Sequence, residues 1–345
     1  MALNRHRRRL IGMLLLALLA SLAVPIVLGG GALWHYLPAV PRQGWFWMTG
    51  MVLIGWLFNS FRLRLLALGM GVHLPAGWSY TAGMATEFAG AASPAGAGGA
   101  LTYITLLKQK GIRSARAAAM YAIDHFMDGV FFVVAFPVAL ISLALHGGFD
   151  DPVWLLLVTL ALFGAGGSLF WSLLRQHRAL IRWFGAVLKP FKLTLKRRRR
   201  LARWLMQFRQ GVRLVLGLPR WQLLLLFSFC AGHWALRYSI LAVVITLIGA
   251  SVPWSYLFAV QGALLLFGQL SFLPGGAGGV ELGYSALLSP FLNLSLIGIS
   301  LLIWRFFTYY LYLLLGLPVF LTLLGGHAWR LLSVSDSANK AKSAQ

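Results

Sequence analysis

The chain has 345 residues, 59% of them hydrophobic and only 11% charged, with a mean hydropathy of +0.78. Soluble domains carry about 45–50% apolar residues, so there is more apolar surface here than one soluble core can hide, and lipid must cover the remainder. The formal charge of +23, from 30 Lys and Arg against 7 Asp and Glu, lies between apolar segments; it reports membrane topology and contact with anionic lipid rather than nucleic-acid binding.

A span needs about 20 apolar residues. In chain order the sequence predicts spans near 10–34, 44–61, 117–146, 152–173, 221–249 and 294–326. The first follows Arg5, Arg7, Arg8 and Arg9. Its apolar run exceeds the about 7–15 residues of a signal peptide, which predicts a retained helix. With the N-terminus in the cytoplasm, 27 of the 30 Lys and Arg face inward, among them Arg62 and Arg64, as the positive-inside bias requires. Arg42 faces outward, and the outward loop near 147–152 is acidic, with Asp150 and Asp151. The single cysteine, Cys230, excludes an intrachain disulfide.

Two further apolar segments, near 76–107 and 253–290, are broken by proline and glycine. The first has inward charges on both sides and must enter and leave by one face; by parity the second enters and leaves from outside. Broken backbone at membrane depth is tolerated only when buried in protein or lining a cavity. These segments also repeat. Residues 94–107 align with 274–287 at a constant offset of 180, each beginning with a proline followed by a glycine-rich run, and six of the fourteen positions are identical. The fold expected is an all-α polytopic membrane protein: six transmembrane helices and two re-entrant hairpins in an inverted repeat, both termini inside. Residues 1–332 form one transmembrane domain, with repeats over about 10–146 and 152–326. Residues 333–345 form a disordered tail. Inverted repeats place substrate where the halves meet.

The stretch near 174–220 alternates basic residues, including Arg197, Arg198, Arg199 and Arg200, with Trp183, Phe191, Trp204 and Phe208. This pattern fits a basic amphipathic segment on the inner leaflet; the plainer reading is a topology-setting loop.

Ionisable groups at membrane depth are costly and are either functional or paired. They are Glu87, Asp124, Asp128, Arg237, Glu281 and Arg305, with His125 and His233 as further titratable groups. Asp124 and Asp128 share a helix face at about 12 and 18 Å from Arg116 along the axis. The offset of 180 maps His125 onto Arg305. A guanidinium fork suits phosphate or carboxylate, so Arg305 is expected to hold an anionic headgroup, with backbone donors at the turns of Gly98, Gly275, Gly276 and Gly278 and proton or charge balance from Asp124, Asp128 or Glu281; Glu87, in the first arm of the first hairpin, is a further candidate site residue. The competing reading is that Arg305 forms a buried salt bridge with Glu281 or Asp128 that only locks the halves together. Arg237, about 25 Å along its span, is expected to snorkel to the outer interface beside Trp234 and Tyr238. No HExxH, Walker or GxSxG motif occurs; neither enzyme activity, cofactor nor metal is expected.

The second turn, Phe272 to Glu281, followed by Trp304, Arg305, Tyr309 and Tyr310, resembles the transmembrane domain of lysylphosphatidylglycerol synthases and the stand-alone flippase-like membrane proteins. Pro274, Gly275, Gly276, Glu281 and Arg305 match that pattern position by position. The first copy departs: Gly99, Ala100 and Leu101 stand where relatives carry an acid, and His125 stands at an arginine position. The resemblance implies lipid translocation or handling at a bacterial inner membrane, with membrane lipids and envelope-lipid biosynthesis enzymes as partners. It does not imply synthase activity, whose aminoacyl-transfer domain is a separate soluble unit. The alternatives are an accessory protein that presents lipid to an enzyme, and a membrane-embedded transferase.

Overall fold

A computed structural model describes residues 17–145, 195–270 and 273–324. All regular structure in these residues is helical. Four helices are long and apolar enough to cross a membrane: α3 (Arg42–Gly69), α6 (Ser114–Leu145), α8 (Arg220–Leu247) and α11 (Leu294–Leu324). The predicted span at 152–173, the first part of the basic segment and the tail lie outside the described residues.

The first span differs from expectation. Helix α1 (Ala17–Gly29) stops at three consecutive glycines, and α2 (Ala32–Ala39) restarts beyond them. Gly30 takes a φ of 49° while its N–H closes on the Ile26 carbonyl. That left-handed stop is cheap only without a Cβ. Gly29 also lies against Gly298 of α11, where any side chain would collide with the backbone, the small-residue contact that lets membrane helices approach closely.

Helix α3 continues past the predicted end at 61 to Gly69. Arg62 and Arg64 were expected to mark a loop, but Arg62 is buried within the helix. A charge there is tolerated because partners on α6 neutralise it, as described below.

The two broken segments form helical hairpins. In the first, α4 (Ala76–Ala91) and α5 (Ala97–Gln109) pack together around a turn at Pro94–Gly96. In the second, α9 (Trp254–Leu270) packs on α10 (Gly279–Leu288) around a turn at Pro274–Gly276. The longest arm has 17 residues and rises about 26 Å, short of the about 30 Å of a hydrocarbon core. Backbone geometry repeats with the sequence: φ is 48° at Ala95 and 70° at Gly96, and 64° at Gly275 and 68° at Gly276. The two turns pack directly on one another.

Helices α3 and α8 lie along each other at the centre. One apolar cluster joins them to α9, α10 and α11 through Trp56, Leu241, Tyr284 and Phe307. A second joins α3 to α4, α5, α6 and α7 (Leu195–Leu216) through Leu66, Leu106, Met120 and Val215. Outward faces are apolar too: Leu53, Ile54 and Leu57 on α3, Val134, Val138 and Ile141 on α6, and Leu314, Leu317 and Leu321 on α11 are exposed. Apolar stripes this long on the outside of helices suit lipid rather than water. Helix α7 is amphipathic, with Val212 and Val215 buried and Arg199, Arg200 and Arg203 exposed. The side chains of Arg197 and Arg198 lie outside the described residues.

Candidate functional site

A cavity of about 480 Å³ opens where the hairpin turns meet α3, α6, α8 and α11. Its wall includes Gly96 and Gly99 from the first hairpin and Gly275 and Gly276 from the second. Every described carboxylate is ion-paired at or beside it.

On one side Arg62 Nη2 lies 2.7 Å from Asp124 Oδ1 and 2.7 Å from Asp128 Oδ1. It also donates to the Asp124 backbone carbonyl at 2.9 Å. Asp128 accepts further bonds from Trp234 Nε1 at 2.8 Å and the Cys230 thiol at 3.2 Å. Asp124 and Asp128 therefore do share a face, as their spacing requires, and face a guanidinium the topology count had placed in a cytoplasmic loop. The signal that could have revealed it is the apolar run that resumes after Arg62 and Arg64, Leu65 to Leu68, which allows the helix to continue past both.

The network continues across the molecule. Arg62 Nη1 donates to Asn59 Oδ1 at 3.2 Å, and Asn59 Nδ2 donates to Glu87 Oε1 in a short bond. Glu87 Oε2 is 3.7 Å from Arg237 Nη1, and Arg237 Nη2 donates to the Thr308 carbonyl at 3.3 Å. Arg237 thus points inward, into the cavity wall, and not to an outer interface. Its guanidinium lies over Tyr312 at 4.8 Å and Trp234 at 5.9 Å. Glu87 supplies the opposite charge, and the aromatic faces add cation–π attraction.

On the other side Arg305 Nη2 lies 2.7 Å from Glu281 Oε1, and its Nη1 donates to the Gly275 carbonyl at 3.1 Å. Glu281 Oε2 accepts the Gly278 N–H at 2.7 Å, capping α10. The pair is almost fully enclosed, with side-chain exposures of 6% for Arg305 and 0% for Glu281. Of the two readings of Arg305, the geometry realises the buried bridge: it ties α11 to the second hairpin. Arg305 still reaches the cavity wall, whereas Glu281, Gly98 and Gly278 do not line it. Gly98 instead donates its N–H to Ser93 Oγ at 2.7 Å within the first hairpin.

His125 lines the cavity but is exposed, with Nδ1 3.0 Å from the Tyr121 carbonyl. Immediately after Arg305, α11 makes one π-helical turn, Phe306–Tyr310. Thr308 and Tyr309 of that turn line the cavity, and such bulges occur frequently at functional sites. Sequence reasoning missed it because a π-turn has no composition signal. Among the described residues no cluster of His, Cys, Asp and Glu could hold a metal.

The family model for the lysylphosphatidylglycerol synthase TM region matches residues 10–316. The chain belongs to this family. Within the lysylphosphatidylglycerol synthase TM region family, a UPF0104 membrane protein of Archaeoglobus fulgidus is 22% identical over 266 residues, covering 76% of this chain and 80% of that protein. Family membership and the four apolar helices make this a multi-pass membrane protein.

Proposed function

We propose that the protein translocates or otherwise handles a lipid carrying a phosphate headgroup, such as a phospholipid or a polyprenyl-phosphate-linked lipid, and that the headgroup enters the cavity between the two hairpin turns. The observation that carries this reading is the ranking of the three arginines. Arg62 and Arg305 are committed, with side-chain exposures of 4% and 6% and partners at 2.7 Å. Arg237 is 28% exposed and its carboxylate partner is 3.7 Å away. It is the guanidinium a phosphate can reach, and a planar fork suits phosphate oxygens.

The cavity volume, about 480 Å³, falls in the range of about 300–1,000 Å³ typical of ligand sites. It suits a headgroup, with the acyl or prenyl chains left in the bilayer. Paired turns from hairpins too short to cross suit re-entrant loops of an inverted repeat, oriented with the basic α7 face in the cytoplasm of a bacterial inner membrane. The family name supports lipid handling. The protein acts alone on lipid or passes it to an envelope-lipid enzyme.

The test is headgroup movement of a fluorescent anionic phospholipid in liposomes holding the purified chain. Arg237→Gln lowers the rate about tenfold, the loss of one charge-assisted bond, in protein that elutes and melts like wild type. Unchanged movement in that variant overturns the reading.

A further inference from the structure

A second, smaller crevice lies apart from the central cavity. It is lined by Met70, Val72, Gly111, Ile112, Arg113 and Arg116, with a volume of about 180 Å³. Water occupies about 30 Å³ per molecule, so the space admits a phosphate group.

Three features give it the chemistry of an anion site. First, both charged residues of its wall are arginines, and among the described residues neither has a carboxylate within ion-pair distance. All described carboxylates belong to the central network. Second, Arg116 is held from one side only. Its Nη2 donates to Gln210 Oε1 of α7 at 3.3 Å, while its Nε is buried without a hydrogen-bond partner. Arg116 is half-buried and Arg113 exposed, so both guanidiniums stay accessible at the crevice. Third, α6 begins at Ser114, so the positive end of a 32-residue helix faces the same place.

Helix α7 does not line the crevice but packs behind two of its wall residues, Met70 and Arg116, at Gly211. A Cβ there would lie 2.9 Å from Ala119 Cβ and 3.3 Å from Arg116 Cα. Toward its N-terminal end α7 also exposes Arg199, Arg200 and Arg203 with Trp204 and Met206.

We infer that this crevice is a phosphate-binding site, peripheral to the central cavity, in which Arg113 and Arg116 hold the phosphate of an anionic phospholipid or a free phosphate. The site explains the two arginines without relying on the central pocket.

The full chain carrying Arg237→Gln, so that central binding is suppressed, is placed in phosphatidylcholine nanodiscs. Thermal stabilisation is then read against added phosphatidylglycerol and, separately, against inorganic phosphate. Two variants are compared: Arg113→Gln/Arg116→Gln, and Val72→Phe, which fills the crevice and leaves its charges. Both are expected to weaken binding about tenfold. Stabilisation by phosphatidylglycerol alone identifies a lipid phosphate, and stabilisation by inorganic phosphate alone identifies a free one. Stabilisation by neither overturns the site. So does loss in the arginine variant while Val72→Phe binds like the parent, because then only diffuse surface charge is acting.

Discussion

Replacing Glu281 by Gln removes one member of the most enclosed ion pair in the molecule. Arg305 would keep its bond to the Gly275 carbonyl at 3.1 Å but lose the carboxylate at 2.7 Å. Breaking a buried pair by deleting one partner costs about 3–5 kcal/mol, because the remaining charge is buried without compensation. Replacing both partners by apolar residues of similar volume, Glu281→Leu with Arg305→Met, removes the stranded charge. The loss is then expected to shrink to about 1 kcal/mol, the remainder coming from the vacated Gly278 N–H and Gly275 carbonyl. Unfolding of purified protein by dodecyl sulfate, followed by far-UV circular dichroism for wild type, Glu281→Leu, Arg305→Met and the double, supplies the cycle. Two single losses that merely add in the double, or a single variant within about 1 kcal/mol of wild type, would refute the assignment of this pair as a structural lock.

The two proline turns give a matched set of predictions. Ala95 holds a φ of 48° with no glycine at that position; Ala95→Gly is expected to stabilise the protein by about 1 kcal/mol, measured in the same unfolding assay. Its counterpart Gly275 sits at 64°, and a Cβ there would lie 2.2 Å from Tyr309 Cε2. Gly275→Ala therefore costs more than backbone strain alone, about 3 kcal/mol with the overpacking included, and adding Tyr309→Leu recovers the steric part only.

How much of this was legible in the sequence follows from which signals are local. Helix existence, the paired hairpins and the turn at Pro274 follow from apolar length, proline and glycine, all of which act within a few residues. Asp124 and Asp128 meet because a four-residue spacing fixes a helix face. Arg62 was misplaced because positive-inside counting treats every basic residue near an apolar end as a loop charge. Its true setting depends on a contact with α6 more than sixty residues away. Arg237 fails for the same reason: Glu87 and Tyr312 come from distant segments, and only the fold brings them together. The break in the first span at Gly30 was readable in principle, since three glycines stood in the run, but hydropathy alone averages across them.

The formal charge around the cavity bears on the headgroup. Three arginines, Arg62, Arg237 and Arg305, face four carboxylates, so an anionic lipid enters a site that already carries an acidic excess. It can be favoured only by taking over an arginine from its carboxylate, and Glu87 is the one in the way. At 3.7 Å the Glu87–Arg237 attraction is about 4 kcal/mol at an effective dielectric of about 20. Partial exposure of both side chains screens the net value to about 1 kcal/mol. Glu87→Gln keeps the shape and leaves Asn59 a partner, equalises arginines and carboxylates, and frees Arg237. Binding of an anionic phospholipid should therefore tighten about fivefold, read by lipid titration of the purified protein in neutral detergent, while Glu87→Gln with Arg237→Gln should show no such gain. Weaker binding in Glu87→Gln would mean that the carboxylate holds Arg237 in the pose the phosphate needs. Glu87 would then be part of the headgroup site rather than its competitor.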